Sequence, residues 1–421
     1  MKINKMNLEH KNKSYMIDNV SCKEIANNFG TPCFVYSEEA ISGSFKKIKD
    51  IFCTEKRDVY YSVKANSNLT ILKLLLNLGS GFDIVSMGEL DRVLKIGADP
   101  KKIVYSGVGK SEKDIERSIK IGIHCINVES IEELKRISMI ASKLKINAPV
   151  AIRVNPNIDP GSHEYIATGL NSTKFGINLN NMMDAFSFAH TEDFINLIGI
   201  DYHIGSQIET LEPFIEAVTS VAKIIKQLKS NQIDLQLIDM GGGLGITYKN
   251  NNVPSIREYG EAINKAIKDN NLEDYNIILE LGRSLVGNAG YLLTKVEYIK
   301  KDSEKNYVIV DAGMDNLIRP ALYDAWHNIS CINVNKDAEE ILCDVVGPVC
   351  ECADFLGKDR KLSVQQNDIL VISSCGAYAS SMSSNYNSRP RPAEIIIKKG
   401  QAVIISRKEE ISDLYSREII I

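Results

Sequence analysis

The sequence predicts an α/β protein: a TIM-like (β/α)8 barrel over most of the chain, followed by a smaller antiparallel β domain of barrel or sandwich type. Two observations carry the barrel. From about residue 33, short β-branched or aromatic runs alternate with longer amphipathic stretches, which is how βα units on a parallel sheet read. Eight such runs and eight helical stretches fit into about 250 residues, the arithmetic of the barrel. A third observation carries the β domain. After about Ser284 the runs shorten and are separated by Gly, Pro, Asn and Asp instead of long helices, the pattern of antiparallel strands. The boundaries fall at 37–282 for the barrel and at 1–36 together with 283–421 for the β domain.

The barrel strands are expected, in order, near 59–64, 81–85, 103–106, 125–128, 150–155, 198–204, 235–240 and 277–281. Helices follow seven of the gaps, near 68–78, 87–96, 111–121, 130–144, 178–190, 210–229 and 255–270, and an eighth near 38–50 precedes the first strand. Periodicity does not show closure, so a doubly wound open sheet stays open as an alternative. The β domain shows strand-like runs near 291–297, 307–310, 341–346, 369–373 and 393–398, and the first 35 or so residues read as extended segments that join it.

Composition narrows the function. The 421 residues are 44% hydrophobic and 25% charged, which excludes collagen-like, disordered and disulfide-scaffold classes. With 50 Lys plus Arg against 54 Asp plus Glu, the chain lacks the basic excess of a nucleic-acid binder. Nine cysteines without a repeated Cys-x-x-Cys spacing read as reduced thiols of a cytoplasmic protein, not as a disulfide framework or a zinc site. No run of about 18 apolar residues and no apolar N-terminal stretch occurs, so neither a membrane span nor a signal peptide is expected.

In a barrel, chemistry gathers where strands end. The first strand runs into Lys64, within Tyr-Ser-Val-Lys-Ala-Asn at 61–66. That lysine either snorkels out of the barrel mouth or is desolvated enough to form a Schiff base with an aldehyde. The sixth ends in His203-Ile204-Gly205-Ser206-Gln207, an imidazole that is either a satisfied core group or a catalytic one. The seventh ends in Gly241-Gly242-Gly243, a tight turn or a set of bare N–H groups for a phosphate. The eighth ends in Glu280-Leu281-Gly282-Arg283-Ser284, where the acid and the guanidinium either pair with each other or face a ligand. Phosphate loop, Schiff-base lysine and an acid toward a heteroaromatic nitrogen together describe a pyridoxal phosphate site.

These motifs, in this order, resemble the diaminopimelate decarboxylases of the fold-type III pyridoxal-phosphate family, which is related to alanine racemase. Further matches are Tyr165-Ile166-Ala167-Thr168-Gly169-Leu170 with Lys174-Phe175-Gly176, Ile318-Arg319-Pro320-Ala321-Leu322-Tyr323, Gly347-Pro348-Val349-Cys350-Glu351 and Gly376-Ala377-Tyr378. The resemblance implies decarboxylation of meso-2,6-diaminopimelate to L-lysine, the last step of lysine biosynthesis. It implies that Lys64 tethers pyridoxal 5'-phosphate and that His203 stacks on its ring. Ser206, Gly242, Gly243, Gly282, Arg283 and the Tyr378 hydroxyl would hold the cofactor, mostly through its phosphate. Glu280 would face the pyridine nitrogen and keep it protonated, which favours decarboxylation over racemisation because the ring then accepts electrons well. Arg319, Tyr323, Arg283, Tyr378 and Glu351 would hold the substrate, the arginines as carboxylate partners and Glu351 at the distal ammonium. The resemblance also implies an obligate homodimer with shared sites, to which the partner subunit donates Cys350 and Glu351, Cys350 facing the reacting Cα. Cys352 is kept as a small buried hydrophobe. No metal is expected.

Three departures from the family pattern stand out: Leu281 for the usual proline, Cys352-Ala353 for a serine-containing pair, and Asp315-Asn316 inverted. The first removes a backbone lock from the segment that carries Arg283. Two rivals remain. One keeps the chemistry on another substrate, carboxynorspermidine, arginine or ornithine; the other is an inactive homologue that regulates a partner enzyme.

Overall fold

The computed structural model describes all residues except 1–7, 12–13, 160, 162–173, 250 and 333–338. The matched segment 165–170 therefore lies outside the described residues. The chain divides into two compact units, one of residues 44–246 and 252–284, the other of residues 1–43, 247–251 and 285–421.

The first unit is a closed parallel barrel. Its strands are β1 (Arg57–Ser62), β2 (Gly81–Ile84), β3 (Ile103–Tyr105), β4 (Cys125–Val128), β5 (Ala148–Asn155), β6 (Ile195–Asp201), β7 (Leu237–Asp239) and β8 (Asn276–Leu281). Each pairs in parallel with the next, and β8 returns to β1 through Ile277↔Arg57 to Leu281↔Tyr61. The pairing of β4 with β5 closes the last gap, which decides against the open doubly wound sheet.

Side-chain volume explains how the interior fills. Tyr60, Val104, Cys125, Ala151, Leu237 and Ile278 form one buried cluster inside the barrel. Two glycines make room for its larger members. A Cβ on Gly81 would enter the Tyr60 ring, and one on Gly199 would lie 2.7 Å from Leu237 Cβ. The helices begin where the sequence offers a cap: Ser86, Ser111, Ser130 and Ser255 accept from the backbone N–H three residues on, and Asn68 from Thr70 N–H, satisfying donors that a helix start otherwise leaves bare.

Two strand ends fall short of the sequence reading. β1 stops at Ser62, and Lys64 sits in a one-turn 3-10 helix, Val63–Ala65. β6 stops at Asp201, its last partner being Asp239, so His203 stands in the loop beyond it. In both cases the apolar run continues past the last ladder bond, and periodicity reads the run instead of the bond.

The second unit is a mixed sheet, not the antiparallel one expected. Its path runs Phe355–Ser363, Glu340–Val346, Asn306–Val310, Gly290–Lys300, Cys33–Ser37, Ala393–Lys398 and Gln401–Ser406, with Ile369–Ile372 on Gly290–Lys300 and Ile329–Cys331 on Ile369–Ile372. Two of these pairings are parallel: Asn306–Val310 with Glu340–Val346, and Cys33–Ser37 with Ala393–Lys398. Strand direction depends on where connections return the chain, which local pattern does not encode. The N-terminal segment is also not wholly extended, since Cys22–Phe29 is a helix capped by Ser21. It buries Cys22, Ile25 and Ala26 against Val35, Leu293, Val371 and Ile395, and this tertiary burial overrides the weak propensity of so short a segment.

Candidate active site

Parallel register builds the floor of the barrel mouth. Asp201 at the end of β6 is paired with Asp239 at the end of β7, and Asp239 with Ile278 on β8, two residues before Glu280. Oxygens of Asp201, Asp239 and Glu280 consequently lie within 4.8 Å of one another, all three residues buried. Asp83 on β2 is fully buried too. Such a group of acids is costly away from water unless protons or cations share it.

The surrounding side chains answer part of that cost. Lys64 Nζ lies 2.7 Å from Asp83 Oδ2. Arg153 donates to Glu129 at 2.6 Å, and its Nε lies 3.8 Å from Asp201. Asn127 Nδ2 donates to both Asp239 Oδ2 and Ser106 Oγ at 3.1 Å, and Ser106 donates to Glu280 Oε1 at 3.3 Å. Two buried oxygens, Asp83 Oδ1 and Asp201 Oδ1, still lack a hydrogen-bond partner among the described residues. Protons supply the balance. Burial first, and then Asp239, Asp83 and Asp201, push the Glu280 carboxyl well above the ordinary carboxylate range. Asp239 is pushed up to about 6, chiefly by burial. The floor is thus a proton-holding acidic pocket that favours a cationic ligand.

The glycine triplet is first a packing device. Gly241 has φ +59, and a Cβ there would lie 2.9 Å from His203 Nδ1. A Cβ on Gly242 would strike the Glu280 carbonyl, and one on Gly243, φ +117, the Gly205 carbonyl. The N–H groups are also less bare than the sequence suggests. Gly241 donates to Asp239 Oδ1 at 3.1 Å and Gly242 to His203 Nδ1 at 3.2 Å. Gly242 therefore orients the imidazole. His203 accepts at Nδ1, and burial, followed by the charges of Arg153 and Lys64, lowers its pKa well below the usual histidine value. The ring is neutral, with its proton on Nε2.

Arg283, buried at the start of the short helix Arg283–Val286, donates from Nη2 to Ser206 Oγ at 3.0 Å. Gly282 lets β8 end against β1, since a Cβ there would meet Ala65 Cβ at 3.0 Å. Leu281, where the family pattern has proline, is fully buried and pairs with Tyr61 in the ladder.

The remaining expected site residues belong to the second unit. Arg319 opens the helix Arg319–Tyr323 and is buried, Tyr323 partly so. Cys350 and Glu351 are exposed on a turn. Asn387 Nδ2 donates to Cys350 Sγ at 3.4 Å, and the Tyr386 hydroxyl donates to Glu351. Asp354 pins that turn, accepting from Val349 N–H and Met314 N–H, each at 2.6 Å. Cys352 is exposed, which corrects its reading as a buried hydrophobe; the turn that presents Cys350 carries it outward as well. Tyr378 is half-buried with φ +54. The inverted Asp315-Asn316 pair is buried, Asp315 Oδ2 accepting from Arg389 Nε at 3.0 Å.

Sequence reasoning missed Asp83, Asn127, Arg153 and the joint role of Asp201 and Asp239. The available signal was a polar or charged residue inside an otherwise apolar strand, which is seldom structural when buried.

Glu89 yields a separate test. Its carboxylate accepts from Val85 N–H at 2.8 Å, and burial, reinforced by Asp83, raises its pKa from 4.5 to about 7. The folded chain therefore holds a proton there that the unfolded chain has released, and stability must fall as pH rises from about 4.5 to about 7. Glu89→Gln keeps an acceptor for Val85 and removes the titration. Relative to the variant, the wild type should lose roughly 1–3 kcal/mol across that window. Chemical denaturation at pH 5 and pH 7.5 reads it, and parallel stability curves would refute the assignment.

Residues 38–287 match the family model described as pyridoxal-dependent decarboxylase, pyridoxal binding domain. Over 402 residues the chain is 45% identical to diaminopimelate decarboxylase of Neisseria meningitidis, covering 96% of each. Among solved structures it is similar to diaminopimelate decarboxylase from Helicobacter pylori complexed with L-lysine, with TM-score 0.89, 43% identity and coverage of 94% and 98%. It is likewise similar to the M. jannaschii enzyme in co-complex with L-lysine, with TM-score 0.93, 38% identity and 98% coverage of each chain.

Proposed function

Because the chain belongs to the pyridoxal-dependent decarboxylases, we propose that it removes one carboxylate of meso-2,6-diaminopimelate as carbon dioxide and releases L-lysine, the last step of lysine biosynthesis. Its cofactor is pyridoxal 5'-phosphate. The observation that carries the reading is the meeting, at one barrel mouth, of the Lys64 amine, the neutral His203 ring and the proton-holding acids Glu280, Asp239 and Asp201.

The residues present fit that cofactor. Lys64 is an amine beside a buried acid, suited to a covalent tether. Among the described residues, the buried oxygens Asp83 Oδ1 and Asp201 Oδ1 lack a hydrogen-bond partner and are acceptors left over for a cationic group at the barrel floor. Gly243 N–H, Ser206 Oγ and the Arg283 guanidinium are donors suited to a phosphate. When bound, pyridoxal phosphate supplies an aldehyde carbon for amines and an electron-withdrawing ring that accepts the pair left when a Cα bond breaks. The chain's own groups do the rest. Glu280, which holds a proton on its buried carboxyl, would face the ring nitrogen, with Asp239 and Asp201 beside it to favour a positive charge there. His203, neutral and fixed by Gly242, offers a flat face without a competing charge. Lys64, held beside Asp83 at the same mouth, would hold the cofactor and could move a proton at its own Nζ. Cys350 and Glu351, displayed on the Asp354-pinned turn, fit donation to a second copy of the chain in a homodimer. Nine free cysteines and no helix among the described residues long and apolar enough to cross a membrane accord with a cytoplasmic enzyme.

For the substrate we infer that Arg319 takes the distal carboxylate, which ornithine and the other basic amino acids lack. L-Lysine, named in two of the related structures, keeps that carboxylate and is the expected product. Release of carbon dioxide should be fastest from meso-diaminopimelate in a panel with ornithine, arginine and carboxynorspermidine. Arg319→Ala should raise KM for it roughly 10- to 100-fold, the worth of a charge-assisted pair. An unchanged preference in that variant, or faster turnover of another member of the panel, would remove the substrate assignment.

A further inference from the structure

We propose that His327 is a positioning residue that fixes the aim of Arg319 and so sets the preference for a substrate ending in a second carboxylate. The inference rests on the function read above and extends it to a residue that does not itself touch substrate.

Hydrogen-bond chemistry assigns both ring nitrogens. His327 is fully buried, and its Nδ1 lies 2.9 Å from the carbonyl oxygen of Ser373. A carbonyl only accepts, so Nδ1 carries the proton. Its Nε2 lies 2.9 Å from Arg319 Nη1. A guanidinium only donates, so Nε2 presents its lone pair. The imidazole is neutral, tethered at one end to Ser373 and accepting at the other.

Arg319 is held a second time by an aromatic face. Its Cζ stands 4.5 Å from the centroid of Tyr248, and that ring meets His327 edge-on, centroids 5.1 Å apart at 75°. The Cys375 thiol, 3.8 Å from His327 Nδ1, is pushed up to about 12 by burial and stays neutral. These supports are uncharged, so they direct the planar fork without cancelling its charge. An anion-binding arginine needs such a mounting: one donor is spent on a fixed acceptor, and the geometry of the others follows from it.

Two conservative variants separate this role from mere core filling. H327Q places an amide oxygen near the position of Nε2 and keeps an acceptor for Arg319. H327N keeps a donor near the position of Nδ1 for Ser373 and leaves nothing at Nε2. In the holoenzyme, H327N should raise both KM for meso-diaminopimelate and the inhibition constant of L-lysine about tenfold, with kcat changed less than about twofold, as expected for one lost charge-assisted bond. Inhibition by 1,5-diaminopentane, the same chain without the carboxylate, should be equal in wild type and H327N. H327Q should match the wild type for all three ligands.

Equal losses in H327N and H327Q, or a weakening of diaminopentane that matches that of lysine, would make His327 a core residue and overturn the proposal. If H327N does not fold, H327Q decides alone: an unchanged lysine constant supports the mounting, and a tenfold loss overturns it. Wild-type protein that releases no carbon dioxide from meso-diaminopimelate would overturn the function and this inference together, whereas normal turnover with an unaltered H327N would overturn the inference only.

Discussion

Lys64→Ala is expected to abolish carbon dioxide release from meso-diaminopimelate and the visible absorption of the reconstituted protein at the same time. Both follow from one amine. Lys64 Nζ is held 2.7 Å from the fully buried Asp83, placed at the rim by the 3-10 turn that ends β1. Alanine removes the only basic group of that turn, and with it the covalent tether we propose for the cofactor. A positioned acid–base group alone contributes about 10²–10⁴-fold, and the lost tether adds to this, so a fall of roughly a thousandfold or more is the forecast. The fold should survive, because Lys64 is one-third exposed and the turn is anchored by the Tyr61 hydroxyl, which donates to the Asn66 carbonyl at 2.9 Å. A folded Lys64→Ala protein that kept its rate and its colour would end the reading of this site.

Glu280→Gln should cost roughly a hundredfold in kcat while KM moves little. The substitution is close to isosteric, and glutamine still accepts from Ser106, so packing and the Asn127–Ser106 chain are retained. What disappears is the proton. Burial and three neighbouring acids keep Glu280 protonated far above the usual carboxylate range, and a group of that kind can donate to a ring nitrogen and then stabilise the cation as a carboxylate. An amide can donate a hydrogen bond but can neither give up a proton nor carry the negative charge. Loss of a charge-assisted bond of about 2–3 kcal/mol in the transition state corresponds to about a hundredfold. Steady-state kinetics and the absorption spectrum of the holoenzyme, taken together, test it; a kcat within about twofold of wild type would show that the electron sink does not depend on this acid.

Several of the groups these experiments address were legible in the sequence because barrel chemistry follows strand ends, and strand ends follow hydrophobic runs. Lys64, His203, Gly241–243 and Glu280 each close such a run. The acids Asp201 and Asp239 stood in plain view within the same motifs, yet nothing local marked them as neighbours. Their meeting depends on a residue-for-residue register between β6 and β7. His327 was hidden more deeply. Its partner Ser373 is 46 residues away, just past the end of Ile369–Ile372, and Tyr248 comes from a short segment, 247–251, that packs with the second unit.

The sequence by itself determined the succession of strands and helices, the change of rhythm near Ser284 and the family, because each is written in local patterns of apolar spacing, caps and short motifs. Tertiary structure alone decided that the barrel closes between β4 and β5, that the β unit is mixed, and that Asp201, Asp239 and Glu280 meet in one buried group. It also decided that the glycine triplet spends two N–H groups on Asp239 and His203. Pairing direction, register and burial join residues distant in the chain, and the free energy of a charge or a hydrogen bond is fixed by those distant neighbours, not by the residues beside it in sequence.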